Sequence, residues 1–373
     1  MLGIYLFLST ATTTAVSASK NGLFLSVYPG DLIPHALVGA ALLTAVVAVV
    51  FAGLIAGTAR RSFAVGLTAF LATTLLLSRT AFLVDERTTF VLYLWLSTVQ
   101  VLILTHAWDY VSDLLTGRQA KRLMPLIGIG ASLGALLGGV SVAPLALSLG
   151  TANLLLVGAG LSVLSLPFLW MVRAPDTGTD EEDPADDGAV AVFLAGAGRG
   201  FRSIREQPLL RVMAGAVVLL SLTSTLIELQ YKLALQESFA QDEIAAVYGL
   251  MISIVGLGTL ILQVVASRWL FPKLGVSFAA VLQAGLLTVA SGVALVLGGF
   301  LVRAALQVLD DTLQKSLDRP VEQVSLLPFP GAVKSAAVAT LGGVLRPLST
   351  AAAGGLAILL ATRTSLVAGA TVL

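Results

Sequence analysis

Several charged residues of this chain sit where charge is expensive. Lys20 stands in Leu6–Leu25, a run otherwise made of Leu, Ala, Val, Thr, Ser, Phe, Gly and one Asn. Glu228 and Lys232 lie four residues apart in TSTLIELQYKLAL. Arg303, Gln307, Asp310, Asp311 and Lys315 fall within the apolar stretch Phe300–Leu317, and Arg346 within LGGVLRPLSTAAAGG. A cation at the centre of a membrane helix costs about 2.5–3.5 kcal/mol and persists most often where it faces a polar cavity and meets an anion. The chemistry these residues can do is therefore the binding of charge. Covalent chemistry has no candidates. There is no cysteine, so disulfides, thiolate metal sites and cysteine nucleophiles are excluded. His35 and His106 are too few for a histidine metal site, and no G-x-S-x-G elbow is present. We expect neither an enzyme nor a cofactor.

The elements that must hold these charges are membrane helices. The chain is 57% hydrophobic and 12% charged, with a mean hydropathy of +0.95. A spanning helix needs about 20 apolar residues to cross a core about 30 Å thick. Segments of that length are predicted at 2–27, 33–57, 63–83, 88–110, 124–147, 152–172, 208–234, 244–266, 276–297, 299–318 and 336–361. A twelfth is expected to begin near Ser365 and to be cut short at Leu373. Alternating barrel-type segments are absent, so the spans are helices. The N-terminus lacks a basic region and an A-x-A-like site, and so is no signal peptide. The net charge of +1 and the absence of basic blocks give no reason to expect a nucleic-acid partner.

Loop charge orients the chain. The even-numbered turns contain Arg60 and Arg61; Arg118, Lys121 and Arg122; Arg173, Arg199, Arg202 and Arg205; Arg268 and Lys273; then Lys315, Arg319 and Lys334. The odd turns are acidic or neutral, apart from Arg87 and Arg363. Lys and Arg favour cytoplasmic loops, so both termini are expected in the cytoplasm, with the protein in a bacterial inner (plasma) membrane.

The sixth turn includes APDTGTDEEDPADDG at Ala174–Gly188, an acidic, Pro- and Gly-rich composition that reads as a linker. Phe193–Glu206 after it reads as an interfacial helix. This divides the chain into a six-helix bundle at 1–173, a cytoplasmic linker with its helix at 174–206, and a second six-helix bundle at 207–373. GTARRS at Gly57–Ser62 and SRWLFPKLG at Ser267–Gly275 are short basic turns at equivalent places in the halves. Two six-helix halves with a long central cytoplasmic loop is the layout of the major facilitator fold, and an all-α membrane protein of that fold is the expectation.

Positions 303, 307, 310 and 314 recur at helical spacing, which predicts one polar stripe facing a cavity or a neighbouring helix rather than lipid. The alternative for these charges is an internal salt bridge of Arg303 with Asp310 or its neighbour. Glu228 and Lys232 share one helix face; they read either as an ion pair at the outer membrane edge, with Lys232 snorkelling, or as part of a gate or substrate site. Pro347 lacks an N–H and clashes with the preceding turn, so it is expected to weaken or kink its helix. IGIGASLGALLGG at Ile127–Gly139 has neither the Gly-Lys-Ser/Thr ending nor the preceding strand of a phosphate loop; small-residue helix packing accounts for it. Asp109 and Asp113 are expected to cap a helix end beside Arg118.

Four segments resemble the ATP/ADP translocase family, the nucleotide exchangers of plastids and intracellular bacteria, and its bacterial relatives. SKNGLFLSVYPGDLIP at Ser19–Pro34 resembles that family's first-helix Lys-Asp-x-Leu pattern, with Lys20 as the Lys and Asn21 in place of the Asp. WDYVSDLLTGRQAKRLMPLIGIGAS at Trp108–Ser132 resembles its Glu-Ala-Lys-Arg-Phe-Tyr-Pro-Leu-Phe-Gly stretch. There Ala120, Lys121, Arg122, Pro125, Leu126 and Gly128 match, and Gln119 replaces the Glu. IELQYK at Ile227–Lys232 resembles Val-Glu-x-x-Trp-Lys, with Glu228 and Lys232 in place. Arg319–Pro347 retains the family's Glu, Pro and Lys as Glu322, Pro328 and Lys334, and lacks the Asp expected within Val338–Thr340.

The resemblance implies a transporter working by alternating access, and the retained cations imply an anionic solute, nucleotide-like or another phosphorylated metabolite. Lys20 would neutralise its charge near the midplane, with Arg303 and Arg346 adding positive potential. Glu228 and Lys232 would form part of an extracellular gate. Glu322 and Lys334, with Arg118, Lys121 and Arg122, would act on the cytoplasmic side. Beyond that solute the expected partner is the lipid bilayer. The alternative is a regulatory or anchoring membrane domain, joined beyond residue 373 to cytoplasmic helical-repeat or cyclic-nucleotide-binding domains, as in those bacterial relatives.

Overall fold

The computed structural model describes all residues except 56–59, 116, 172–188, 319–320, 323–324, 327–328 and 371–373. The linker Ala174–Gly188 thus lies outside the described residues. The others form helices, with no strand among them. In chain order these are α1 (Leu2–Val27), α2 (Ile33–Ile55), α3 (Arg60–Val84), α4 (Thr89–Asp113), α5 (Gly117–Leu149) and α6 (Leu154–Met171). After the linker come α7 (Ala189–Glu206), α8 (Pro208–Ser238), α9 (Gln241–Val265), α10 (Phe271–Leu297), α11 (Phe300–Leu313), α12 (Gly331–Thr340) and α13 (Arg346–Ala370). Among the described residues, eight helices are long and apolar enough to cross a membrane. The chain is an integral membrane protein.

The predicted helices are present apart from a separate twelfth one, with informative differences at their ends. α11 gives way to a wide π-turn at Gln314–Asp318, and another at Leu341–Leu345 joins α12 to α13. The second falls on the turn before Pro347, where a ring without an N–H disturbs the preceding hydrogen bonds. α13 then continues unbroken to Ala370, so the residues from Ser365 prolong this helix. Gly298 and Gly299, with φ of 62° and 81°, make the sharp turn between α10 and α11 that a side chain would strain.

The helices cluster into two compact units. The first comprises Met1–Val27, Ala48–Val192 and Phe239–Leu262; it therefore takes in α9 from beyond the linker. The second comprises Tyr28–Val47, Phe193–Ser238 and Gln263–Leu373.

At the centre of the first unit is α1, whose hydroxyl-rich sequence is buried along nearly its whole length. Several of its polar groups are satisfied locally or across helices, whereas Thr10 Oγ1 and Asn21 Oδ1 are buried with no partner among the described residues. Thr13 and Thr14 donate to Thr10 O, both at 2.9 Å, and Ser19 donates to Thr151 O at 2.9 Å. α5 packs against α1 through its glycines. A Cβ built on Gly130 would stand 2.1 Å from Gly3 O, and one on Gly134 2.3 Å from Phe7 O. The Gly-rich run is thus a small-residue packing face, as the sequence indicates. The opposite edge of α5 receives α9: Gly139 leaves no room for a Cβ beside Gly249 O, and Ser253 Oγ donates to Leu136 O at 3.1 Å. Asp242, in the first turn of α9, accepts from both the N–H and the hydroxyl of Thr151.

In the second unit α8 packs against α11 and α13. α7 is held to α12 at Gly200, whose missing Cβ leaves space for Thr340. Its exposed Arg202 pairs with Glu206 at 2.8 Å.

Candidate functional site

The polar stripe of α11 meets α8 and α13 at a cavity of about 240 Å³ of water-accessible space within the second unit. α8 supplies Ser221, Ser224, Thr225 and Glu228; α11 and its π-turn supply Gln307, Asp310, Asp311 and Gln314; α13 supplies Arg346 and Thr350. Helical periodicity explains the convergence: 221, 224, 225 and 228 mark one face of α8, and 307, 310, 311 and 314 one face of α11. Asp310 is 2% exposed and accepts a hydrogen bond from Ser224 Oγ at 2.9 Å. Gln307 Nε2 donates to Asp311 Oδ1 at 3.1 Å, while the buried Gln307 Oε1 meets no donor among the described residues.

Three ion-paired groups surround this cavity. Lys232 Nζ lies 2.6 Å from Glu228 Oε1, and the lysine is 1% exposed, so it is enclosed within the unit and does not snorkel. Lys315 reaches Asp311 at 3.6 Å. Arg346 holds Asp318 at 3.1 Å and also pairs closely with Glu322. The guanidinium and both carboxylates are largely buried, a setting in which such pairs are strong and their disruption is costly.

The structure therefore brings together Glu228, Lys232, Asp310, Arg346 and Glu322, which the sequence places in separate roles. Arg303 lies one turn before Gln307 on α11; it does not line the cavity, and among the described residues it makes no ion pair with Asp310 or Asp311. Lys334 is half-buried on α12. The side chains of Arg118, Lys121 and Arg122 lie outside the described residues. Lys20 belongs to the first unit. Its ammonium donates to Ser97 Oγ on α4 at 2.9 Å and sits 5.3 Å from the centroid of the Tyr93 ring, a cation–π geometry.

Sequence reasoning missed Asp318 and Ser224. Asp318 stands at the end of the polar stripe beside a basic turn, where it reads as a solvated helix end. Ser224 is one of several hydroxyls on α8, and its spacing from Glu228 was the available signal.

No protein-family model matches the chain, and no curated protein matches it. Solved structures do. A mutant form of the nucleoside transporter NupG aligns at a TM-score of 0.68 with 11% identity, over 96% of this chain and 91% of that one. PepTSo, a POT-family transporter, aligns at 0.62 with 12% identity over 99% and 92%. The inward-open xylose transporter XylE from E. coli aligns at 0.55 with 16% identity over 96% and 93%. The chain has the major facilitator fold. At these identities the likeness concerns the fold alone, and the chemistry must come from the residues of this chain.

Proposed function

We propose that this protein is a secondary transporter that moves a small polar solute by alternating access. The observation that carries the reading is the water-accessible cavity lined by charged and hydroxyl groups of three helices within a membrane bundle. Burying such groups is costly unless something polar occupies the space they face, and an anchor needs no such cavity. In this reading the halves on either side of the linker, 1–173 and 207–373, are the moving bodies. The structural neighbours, a nucleoside transporter, a POT-family transporter and a xylose transporter, support transport without choosing a solute.

The finer part of the proposal is an anionic metabolite, nucleotide-like, as the translocase-like motifs imply. Arg346 and Lys232 are already held by carboxylates, so Lys20 is the cation on which this refinement rests. Proteoliposomes offered labelled nucleosides, nucleotides, sugar phosphates and sugars test both levels. We expect one class to accumulate above empty vesicles. Lys20→Ala should lower uptake of an anion about tenfold or more, the loss of a charge-assisted hydrogen bond worth roughly 1.5–3 kcal/mol. Lys20→Arg should restore only part of it, since the planar guanidinium has a different geometry. Accumulation of nothing would remove the transport reading; normal anion uptake by Lys20→Ala would remove the refinement.

Orientation is part of the same proposal: both termini and the linker face the cytoplasm of a bacterial cell. The chain has no cysteine of its own, so Thr179→Cys gives a single label site. We expect an impermeant maleimide to modify it in inverted vesicles and not in intact cells. Labelling from outside intact cells would reverse the topology.

A further inference from the structure

We propose that Arg79 binds the phosphate of an anionic phospholipid at the end of α3, so that one lipid headgroup serves as its counter-ion. The inference is independent of the solute and of the transport cycle. It needs only that the chain spans a membrane.

Arg79 falls inside the span Ser62–Phe82, three residues before its end. At about 1.5 Å per residue that is a depth of about 5 Å, from which an arginine side chain reaches the headgroup level. Lys232, Lys315 and Arg346 in the second unit each have a carboxylate. Arg79 has none among the described residues, and its partner there is neutral: Nε donates to Asn153 Oδ1 at 2.8 Å. Asn153 is itself fixed. Its Nδ2 donates to Leu149 O at 2.6 Å, and its backbone N–H to Gly150 O at 3.0 Å. Gly150, at φ 87°, makes the turn that presents it. Nε is thereby committed, and the two Nη groups are left over. Nη1 is enclosed, with no acceptor among the described residues. A donor in that state is costly, the more so when it carries charge.

The surroundings choose the anion. Arg79 is half-buried at the border of two faces of α3. Leu71, Leu75 and Ser78 are buried on one, while Leu76, Leu77 and Thr80 are exposed on the other. Leu156 on α6, three residues after Asn153, is exposed as well. Exposed leucines beside an unneutralised cation near the membrane boundary suit an acyl chain joined to a phosphate. The forked guanidinium bonds phosphate oxygens in pairs. Free phosphate offers the same oxygens and no chain for the leucines. A zwitterionic lipid offers a phosphate already neutralised by its own cation. A net-anionic headgroup, such as phosphatidylglycerol, meets both requirements.

The test uses the full chain in neutral detergent. Dioleoylphosphatidylglycerol, dioleoylphosphatidylcholine or inorganic phosphate is added in turn, and the readouts are melting temperature and native mass spectrometry of bound lipid. We expect phosphatidylglycerol to raise the melting temperature above phosphatidylcholine at equal loading, and inorganic phosphate to have little effect. Arg79→Gln should weaken phosphatidylglycerol binding about tenfold, the scale of one charge-assisted contact. Arg79→Lys should keep part of it, and Arg211→Gln, which removes an exposed arginine of the second unit, should leave it unchanged. Should Arg79→Gln fold poorly, Asn153→Asp reaches the same readout by the opposite route. A carboxylate at 153 neutralises Arg79 from within, so the phosphatidylglycerol increment should vanish. Equal effects of the two lipids, an increment that survives Arg79→Gln or Asn153→Asp in a folded protein, or an effect reproduced in full by inorganic phosphate overturns the inference. No solute is present, so such a failure is separate from a failure of the uptake assay.

Discussion

Gly134→Leu should abolish the folded protein. The Cβ of any residue at 134 would lie 2.3 Å from the carbonyl oxygen of Phe7 and 3.1 Å from its Cα. The obstacle is backbone, so no rotamer change relieves it; α1 and α5 must part. Overpacking of a core costs about 1–3 kcal/mol when side chains can yield, and here they cannot. The helices that part would also expose the hydroxyls of α1, which depend on close packing in the first unit. Even Gly134→Ala sets two effects against each other. Alanine gains about 1 kcal/mol of helix propensity over glycine, while its methyl group meets the carbonyl. Gly128→Ala is the control: its Cβ would meet nothing nearer than the Trp108 ring at 3.7 Å, an ordinary contact. We expect the Gly128 variant to match the wild type in monodisperse yield and melting temperature, Gly134→Ala to melt lower, and Gly134→Leu to give no monodisperse protein. A Gly134→Leu protein melting like the wild type would mean that α1 and α5 do not approach as described.

That contact was legible in the sequence as a type and not as a pairing. Gly130, Gly134 and Gly138 announce a small-residue face by their spacing of four, but nothing local says that Gly3, Phe7 and Ala11 cover it. The same division runs through the site. The periodicity of 307, 310 and 314 predicted that α11 has a polar face toward a cavity, because a 3.6-residue repeat is a local property. Pro347 foreshadowed the π-turn at Leu341–Leu345, again through local chemistry. The triad of Arg346, Asp318 and Glu322 was hidden, since its members lie on segments separated by two irregular turns, one of them at Gln314–Asp318 without a proline to signal it. Lys232 misled toward the membrane edge because a long cationic side chain near a helix end can snorkel. Its burial depends on α8's neighbours, and those are set by tertiary packing.

Arg346→Ala should be the most damaging substitution at the site. The guanidinium serves two carboxylates, Asp318 and Glu322, whose side chains are 11% and 14% exposed. Removing one partner from a buried pair costs about 3–5 kcal/mol, because the charges left behind lose compensation without regaining water. Here two carboxylates are left, at the π-turn after α11 and in the segment before α12, so the loss also unties those segments from α13. Arg346→Lys keeps the charge but is a point donor that cannot fork between two carboxylates; it should recover part of the stability. The decisive variant is the triple Arg346→Ala, Asp318→Asn, Glu322→Gln. It removes the whole charge set, and its melting temperature should return most of the way to the wild type, because neutral amides can be buried at far lower cost. Uptake then separates two roles for Arg346. A clamp acts only through its carboxylates, so the triple variant would transport once it folds. A solute ligand acts through its own N–H groups, and the triple variant would stay inactive while folding well. Both roles are open to its geometry: Arg346 is held by two carboxylates, and it lines the cavity beside Glu228 and Thr350 with an Nε that has no acceptor among the described residues. A triple variant that melts as low as Arg346→Ala would show that the ion pairs are not what holds α13 in place.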